Sequence, residues 1–196
     1  MSFAAIILAA GASSRMGRPK ALLEIDGETF LDRLTGILSA VASPVIVVLG
    51  FDAEAIRAAA RRPAHFVLNP DPARGMLSSL QTGLAAVPDS AEGFLFTPVD
   101  CPAIAPSTPA RLVDALTRLP DALLAVPRHA GRRGHPVACR LALRHDFLAL
   151  APDAPPRDVI RARDDRTSWV DVDDPGILAD VDDAESYGRL AAPPRP

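Results

Sequence analysis

Twenty of the 21 basic residues are arginine, and the single lysine, Lys20, closes a loop with the chemistry of a phosphate cradle. The loop reads Leu8-Ala9-Ala10-Gly11-Ala12-Ser13-Ser14-Arg15-Met16-Gly17-Arg18-Pro19-Lys20 and follows an apolar run. A compact ammonium reaches a crowded phosphate cluster as a point charge, where a planar guanidinium fork needs more room. The small residues let a ligand approach the backbone, Ser13 and Ser14 add hydroxyls, and Arg15 and Lys20 supply two differently placed cations. This combination suits wrapping a triphosphate with backbone N–H groups and charge together. The wide Gly11–Gly17 spacing excludes a GxGxxG turn, and Lys20 does not follow Gly17 directly, as a Walker A lysine would.

Asp100 is the second anchor. It follows an apolar strand and lies between Pro98 and Pro102, which stiffen the segment. A carboxylate at a strand's carboxyl end is a hard oxygen ligand suited to Mg²⁺, which takes one or two carboxylates plus phosphate oxygens. The same aspartate could instead serve a turn or cap a helix. Gly75-Met76-Leu77-Ser78-Ser79-Leu80 opens a helix whose free N–H groups and serines could hold an anion, or whose serines could simply bond back into the first turn. Asn69 and Gln81 are the chain's two carboxamides, and Asn69 is a candidate reader of a base edge. Gly131-Arg132-Arg133-Gly134-His135-Pro136 is the most basic short loop, either a solvated turn or the capture point for a second, phosphate-bearing substrate. His135 is restrained there by the following proline. Asp180 and Asp182 alternate in an extended stretch, so both could face one way, as a second metal ligand or as part of a solvated acidic surface.

These groups need a scaffold that gathers loop ends. Short apolar runs at 3–8, 44–49, 64–68, 93–97, 122–126, 136–139 and 168–172 read as strands. Amphipathic stretches at 30–41, 76–87, 107–119, 141–150, 155–163 and 183–190 read as helices, and Asp52 is placed to cap one carrying Ile56. Near-continuous apolar strands alternating with helices predict a single-domain α/β fold: a Rossmann-like, open, mostly parallel sheet with helices on both faces. In such a sheet ligands bind where the strands' carboxyl ends meet the loops. The domain is expected to span residues 1–190, with 191–196 a disordered tail. Residues 127–136 and 151–166 are the expected functional insertions.

A net charge of −3 gives no global pull toward nucleic acid or an anionic membrane, so phosphate binding must be local. Cys101 and Cys139 form neither a disulfide framework nor a zinc knuckle. The apolar start is short and lacks a basic flank, so a cytoplasmic domain without a signal peptide or membrane span is expected.

The loop pattern Leu8-Ala9-Ala10-Gly11-x-Ser13-x-Arg15-Met16-Gly17-x-x-Lys20-x-Leu22-Leu23 resembles the signature of the MobA-like nucleotidyltransferases, and within them most closely the molybdenum cofactor cytidylyltransferases. The resemblance continues through Asn69 to Leu84, at Pro98-Val99-Asp100-Cys101-Pro102, at Gly134-His135-Pro136 and at Asp180-Val181-Asp182, nearly the whole chain in order. It implies transfer of CMP from CTP to molybdopterin with release of pyrophosphate, with a sugar- or polyol-phosphate nucleotidylyltransferase or a non-catalytic nucleotide-binding chaperone as alternatives. It implies catalytic roles for Arg15, Lys20 and Asp100. Nucleotide contacts are implied for Leu8, Ala9, Ala10, Gly11, Arg15, Lys20, Asn69 and Ser78, and acceptor contacts for Gly134 and His135. Asp100 and Asp182 become the magnesium ligands, and a receiving apo-molybdoenzyme or chaperone stays open as a partner. Ala10 matches the cytidylyl type, where guanylyl relatives usually carry glycine. Cys101 departs from the polar residue usual at its position.

Overall fold

The computed structural model describes residues 2–151 and 153–191. Its strands are β1 (Phe3–Ala9), β2 (Glu24–Ile25), β3 (Glu28–Thr29), β4 (Val45–Leu49) and β5 (His65–Leu68). They continue with β6 (Gly93–Pro98), β7 (Leu124–His129), β8 (Arg132–Arg133), β9 (Val137–Arg140) and β10 (Thr167–Asp171). The α-helices are α1 (Phe30–Ser39), α2 (Ala53–Ala59), α3 (Met76–Ala85), α4 (Ser107–Arg118), α5 (Arg144–Ala149), α6 (Arg157–Arg161) and α7 (Ala184–Ala191).

β1 is apolar throughout because it is buried on both faces and paired on both edges, parallel to β4 and to β6. Alternate residues feed two cores: Phe3, Ala5 and Ile7 pack under α1 and α4, while Ala4, Ile6 and Leu8 pack under α3 and α5. The main sheet runs β10-β7-β9-β6-β1-β4-β5, with β8 beside β7, and β2–β3 form a separate ribbon. β9 runs against both neighbours and β8 against β7; the other pairings in this sheet are parallel. The expected open α/β architecture is therefore the one the chain adopts.

The chain moves outward from β1 to β4 and β5, then crosses back to β6 on the other side of β1. The crevice of an open sheet opens at such a reversal, so the loops after β1 and β6 face each other there. Because β9 is antiparallel, its amino end lies at the same sheet edge, bringing residues 134–136 to the site.

Several local expectations need correction. Asp52 does not cap α2 with its side chain; its backbone is left-handed (φ 56°). Side-chain caps form at α1, where Thr29 Oγ1 accepts from Asp32 N and donates to Asp32 Oδ2, and at α7, where Asp183 Oδ1 accepts from Ser186 N. The basic turn at 131–134 is a tight hairpin in which Arg132 and Arg133 pair with His129 and Arg128. The helix expected at 141–150 starts as a 3₁₀ turn and becomes α5 only at Arg144. The one expected at 155–163 is limited to α6 by Pro155 and Pro156 before it. Ala191 belongs to α7, and the rest of the expected tail lies outside the described residues. Among the described residues no helix is long and apolar enough to cross a membrane.

Candidate active site

Lys20 begins a 3₁₀ turn at the end of the loop after β1. Ser13 shapes that loop: its carbonyl accepts from Met16 N and its hydroxyl from Lys20 N at 3.0 Å. Gly17 takes a left-handed φ of 67°, which favours glycine. The Lys20 side chain then reaches the opposing loop, where Nζ donates to Asp100 Oδ2 at 2.9 Å and to Asp182 Oδ1 at 2.8 Å. Burial alone would lower the Lys20 pKa, but Asp182 and Asp100 outweigh it and hold the ammonium above its ordinary 10.5. The hydrogen bond from Lys20 in turn pulls the Asp182 carboxyl below its usual value. Arg15 lies 3.7 Å from Asp182 with 69% of its side chain exposed, a loose pair that leaves the guanidinium available to a ligand.

A cavity of about 280 Å³ opens over this cluster. Leu8, Ala9, Ala10, Gly11, Arg15, Lys20, Asp100 and Asp182 all line it, so residues up to 174 positions apart in the chain meet at one crevice. Asn69 and Ser78 do not. Asn69 is only 4% exposed; its Nδ2 donates to the Ser78 and Ser79 hydroxyls at 3.0 Å each, and its Oδ1 accepts from Asp71 N. The Ser78 hydroxyl bonds back to the Gly75 carbonyl at 2.9 Å. The carboxamide thus ties the end of β5 to the start of α3, and Ser79 and Met76 are the residues this helix offers to the cavity. Met76 and Pro72 carry no chemical signature that would mark them in the sequence; only the adjacent Gly75 does.

Gly134 and His135 line a second cavity of about 550 Å³, which meets the first at Gly75 and Met76. Its buried floor includes Phe96, Val126, Val137 and Ile177, while Arg74, Arg132, Arg133 and Arg157 are exposed at its edge. Arg157 comes from the 151–166 stretch, but its place opposite the hairpin depends on tertiary packing. Gly134 is obligatory: a Cβ there would collide with the Ile177 carbonyl, the same group that accepts from His135 N at 3.1 Å.

The segment from Asp174 to Asp182 joins the two cavities. Asp174 accepts from Gly176 N, Ala105 N and Thr108 Oγ1, anchoring the strap beside α4. Val181 N donates to the Asp100 carbonyl at 2.9 Å and its side chain is buried, so Asp180 and Asp182 both point outward, to different partners. Asp182 meets Lys20; Asp180 borders the second cavity and accepts from the buried Cys101 thiol at 3.1 Å. Burial and the flanking carboxylates of Asp100 and Asp180 push the Cys101 pKa far up, so it stays a protonated donor. This contact is the site feature that the sequence hid, since nothing in its spacing links positions 101 and 180.

Fold and site together define an α/β protein with a crevice at the switch point lined by paired charges, and a larger cavity beside it. The MobA-like NTP transferase domain matches residues 5–167, and the chain belongs to that family. A probable molybdenum cofactor guanylyltransferase of Synechococcus elongatus is 36% identical over 107 residues, 54% of this chain and 54% of the relative's length. The molybdenum cofactor guanylyltransferase of Sinorhizobium fredii is 29% identical over 87% of this chain and 69% of its own. Among solved structures, Rv0371c from Mycobacterium tuberculosis superposes with a TM-score of 0.83 at 28% identity, covering 97% of this chain and 98% of that one. A second structure of Rv0371c is a complex with manganese.

Proposed function

We propose that this chain is a nucleotidyltransferase of molybdenum cofactor biosynthesis, moving a nucleoside monophosphate from a nucleoside triphosphate onto the phosphate of molybdopterin. The observation that carries this reading is the Lys20 ammonium held by Asp100 and Asp182 at the crevice, with Arg15 beside it. An acceptor phosphate oxygen attacks the α-phosphorus, and the bond to the β-phosphate oxygen breaks to release pyrophosphate. The acceptor phosphate is already ionised and needs no general base, so the protein contributes position and charge. Lys20 and Arg15 stabilise the negative charge that grows on the leaving pyrophosphate. Gly11 admits the nucleotide close to the backbone, since even an added Cβ there would meet nothing within 4 Å. Asn69 and Ser78 serve the nucleotide indirectly, by fixing the start of α3.

Magnesium fits the donor set. Lys20 takes one oxygen of each of Asp100 and Asp182, and their second oxygens are hard donors that would hold the ion together with substrate phosphates. When bound, the ion would supply positive charge to the transferring phosphate. Gly134, His135 and the nearby arginines take the acceptor.

The names of the curated relatives favour GTP as the donor over the CTP expected from the loop. The Ala9-Ala10-Gly11 form of the loop is what keeps a cytidylyl reading open. Pyrophosphate release with each of the four NTPs, with and without molybdopterin, tests both levels. GTP- and molybdopterin-dependent release is expected, and release with CTP alone would reverse the nucleotide assignment. Turnover only with sugar or polyol phosphates would replace the acceptor, and binding without release would make the chain a nucleotide-binding chaperone.

A further inference from the structure

We infer that His135 determines specificity for the acceptor's ring: as a neutral imidazole it donates from Nε2 to a ring carbonyl or lone pair, leaving phosphate to the arginines. This rests on the acceptor reading above and changes the part that His135 plays in it. Its Nδ1 is shut off from solvent and has no hydrogen-bond partner among the described residues. A sealed N–H with no acceptor costs more than a sealed lone pair, so the ring proton belongs on Nε2. Adding a proton at Nδ1 would create an unpaired donor shut off from solvent. Burial accordingly pushes the His135 pKa below 6.5, against the upward pull of Asp180 and Asp100.

The ring is also held in place. It packs edge-on against Phe96, with centroids 6.3 Å apart and planes at 65°. Its backbone N–H is bonded to the Ile177 carbonyl, on which Gly134 is pressed. A fixed neutral donor over a floor of Phe96, Val126, Val137 and Ile177 suits the face and edge of a planar heterocycle. Phosphate would have to leave water to reach that floor, whereas Arg132, Arg133, Arg74 and Arg157 can bind it at the exposed edge. A pterin provides both a carbonyl and ring-nitrogen lone pairs for Nε2–H.

The test separates ring from phosphate. 6-Hydroxymethylpterin carries the ring without phosphate, and inorganic phosphate the reverse; binding of the first is followed by its fluorescence, and of the second by calorimetry. Wild-type protein is expected to bind the pterin saturably. His135→Phe should weaken that binding about tenfold, the loss of one hydrogen bond, and His135→Gln, which keeps an N–H donor at similar reach, should restore most of it. An Arg132→Ala/Arg133→Ala double variant should leave pterin binding within about twofold while weakening phosphate about tenfold or more. Circular dichroism and Tm establish that each variant is folded, and the Gln variant stands if the Phe variant is not. Pterin affinity unchanged in folded His135→Phe, or a His135 effect confined to phosphate, would overturn the inference and leave the acceptor reading intact. Failure of wild-type protein to bind the pterin would overturn the pterin reading itself, and this inference with it.

Discussion

The two cavities differ in how their charges are satisfied. In the crevice proposed for the nucleotide, Lys20 is paired with Asp100 and Asp182, and Arg15 leans on Asp182. At the edge of the cavity proposed for the acceptor, Arg74, Arg132, Arg133 and Arg157 form no ion pair and His135 Nδ1 has no partner among the described residues. Paired groups are already oriented, and preorganised charge is what stabilises a transition state without reorganisation at the moment of reaction. Unpaired cations gain their counter-charge only when a ligand brings it, which suits binding more than chemistry. The contrast predicts that substitutions in the first cavity act mainly on turnover, and those in the second mainly on acceptor affinity.

The largest effect should come from Lys20. Lys20→Ala is expected to lower kcat by on the order of 10²–10³-fold, the scale of losing one preorganised donor to developing charge. Lys20→Arg should rescue poorly, because the guanidinium fork does not fit between two carboxylates 2.8–2.9 Å from one nitrogen. Near-normal turnover in the arginine variant would break the point-charge argument. Asp100→Asn, which keeps shape and removes charge, should abolish divalent-metal dependence while leaving Tm little changed. Unaltered dependence on the metal in steady-state assays would show that the ion is held elsewhere.

The same contrast explains what could be read from the sequence. The phosphate loop is legible because its chemistry is local: small residues, two cations and an apolar lead-in fall within 13 consecutive residues. The sheet is legible because strands buried on both faces must be apolar throughout, as β1, β4 and β6 are. The acceptor cavity was visible only as a basic turn. Its floor draws on β6, β7, β9 and the strap, and apolar side chains do not announce which cavity they line. The Asn69 carboxamide looked like a base reader because its type suits one; its inward bonds to Ser78, Ser79 and Asp71 depend on packing that residue type does not encode. Alternation groups Asp180 and Asp182, and both point outward, but their separate partners are Cys101 and Lys20, both far away in the chain.

A smaller effect should sharpen the acceptor side of the comparison. With both substrates varied separately, Arg132→Ala/Arg133→Ala should raise the acceptor KM roughly ten- to hundredfold, the range for losing a charged hydrogen bond to phosphate. The nucleotide KM and kcat should remain close to wild type, because neither arginine lines the nucleotide crevice. Equal weakening of both substrates would mean that the β7–β8 hairpin supports the whole site and that the division between the cavities fails.

The smallest effect is on stability and concerns His135 alone. Its folded pKa lies below the unfolded value of 6.5, because burial opposes the charged ring. The unfolded chain therefore binds more protons in the interval between the two values, and stability rises with pH there. The contribution is fully present above pH 6.5 and is lost as pH falls toward the folded pKa. Wild-type Tm should drop more steeply below pH 6.5 than that of His135→Gln, which has no proton to gain at this site. Asp180 and Asp100 are present in both proteins, so the difference between the two slopes isolates the imidazole. Parallel slopes would mean that the ring takes up its proton in the folded state as readily as in water, and that its unpartnered Nδ1 does not keep it neutral.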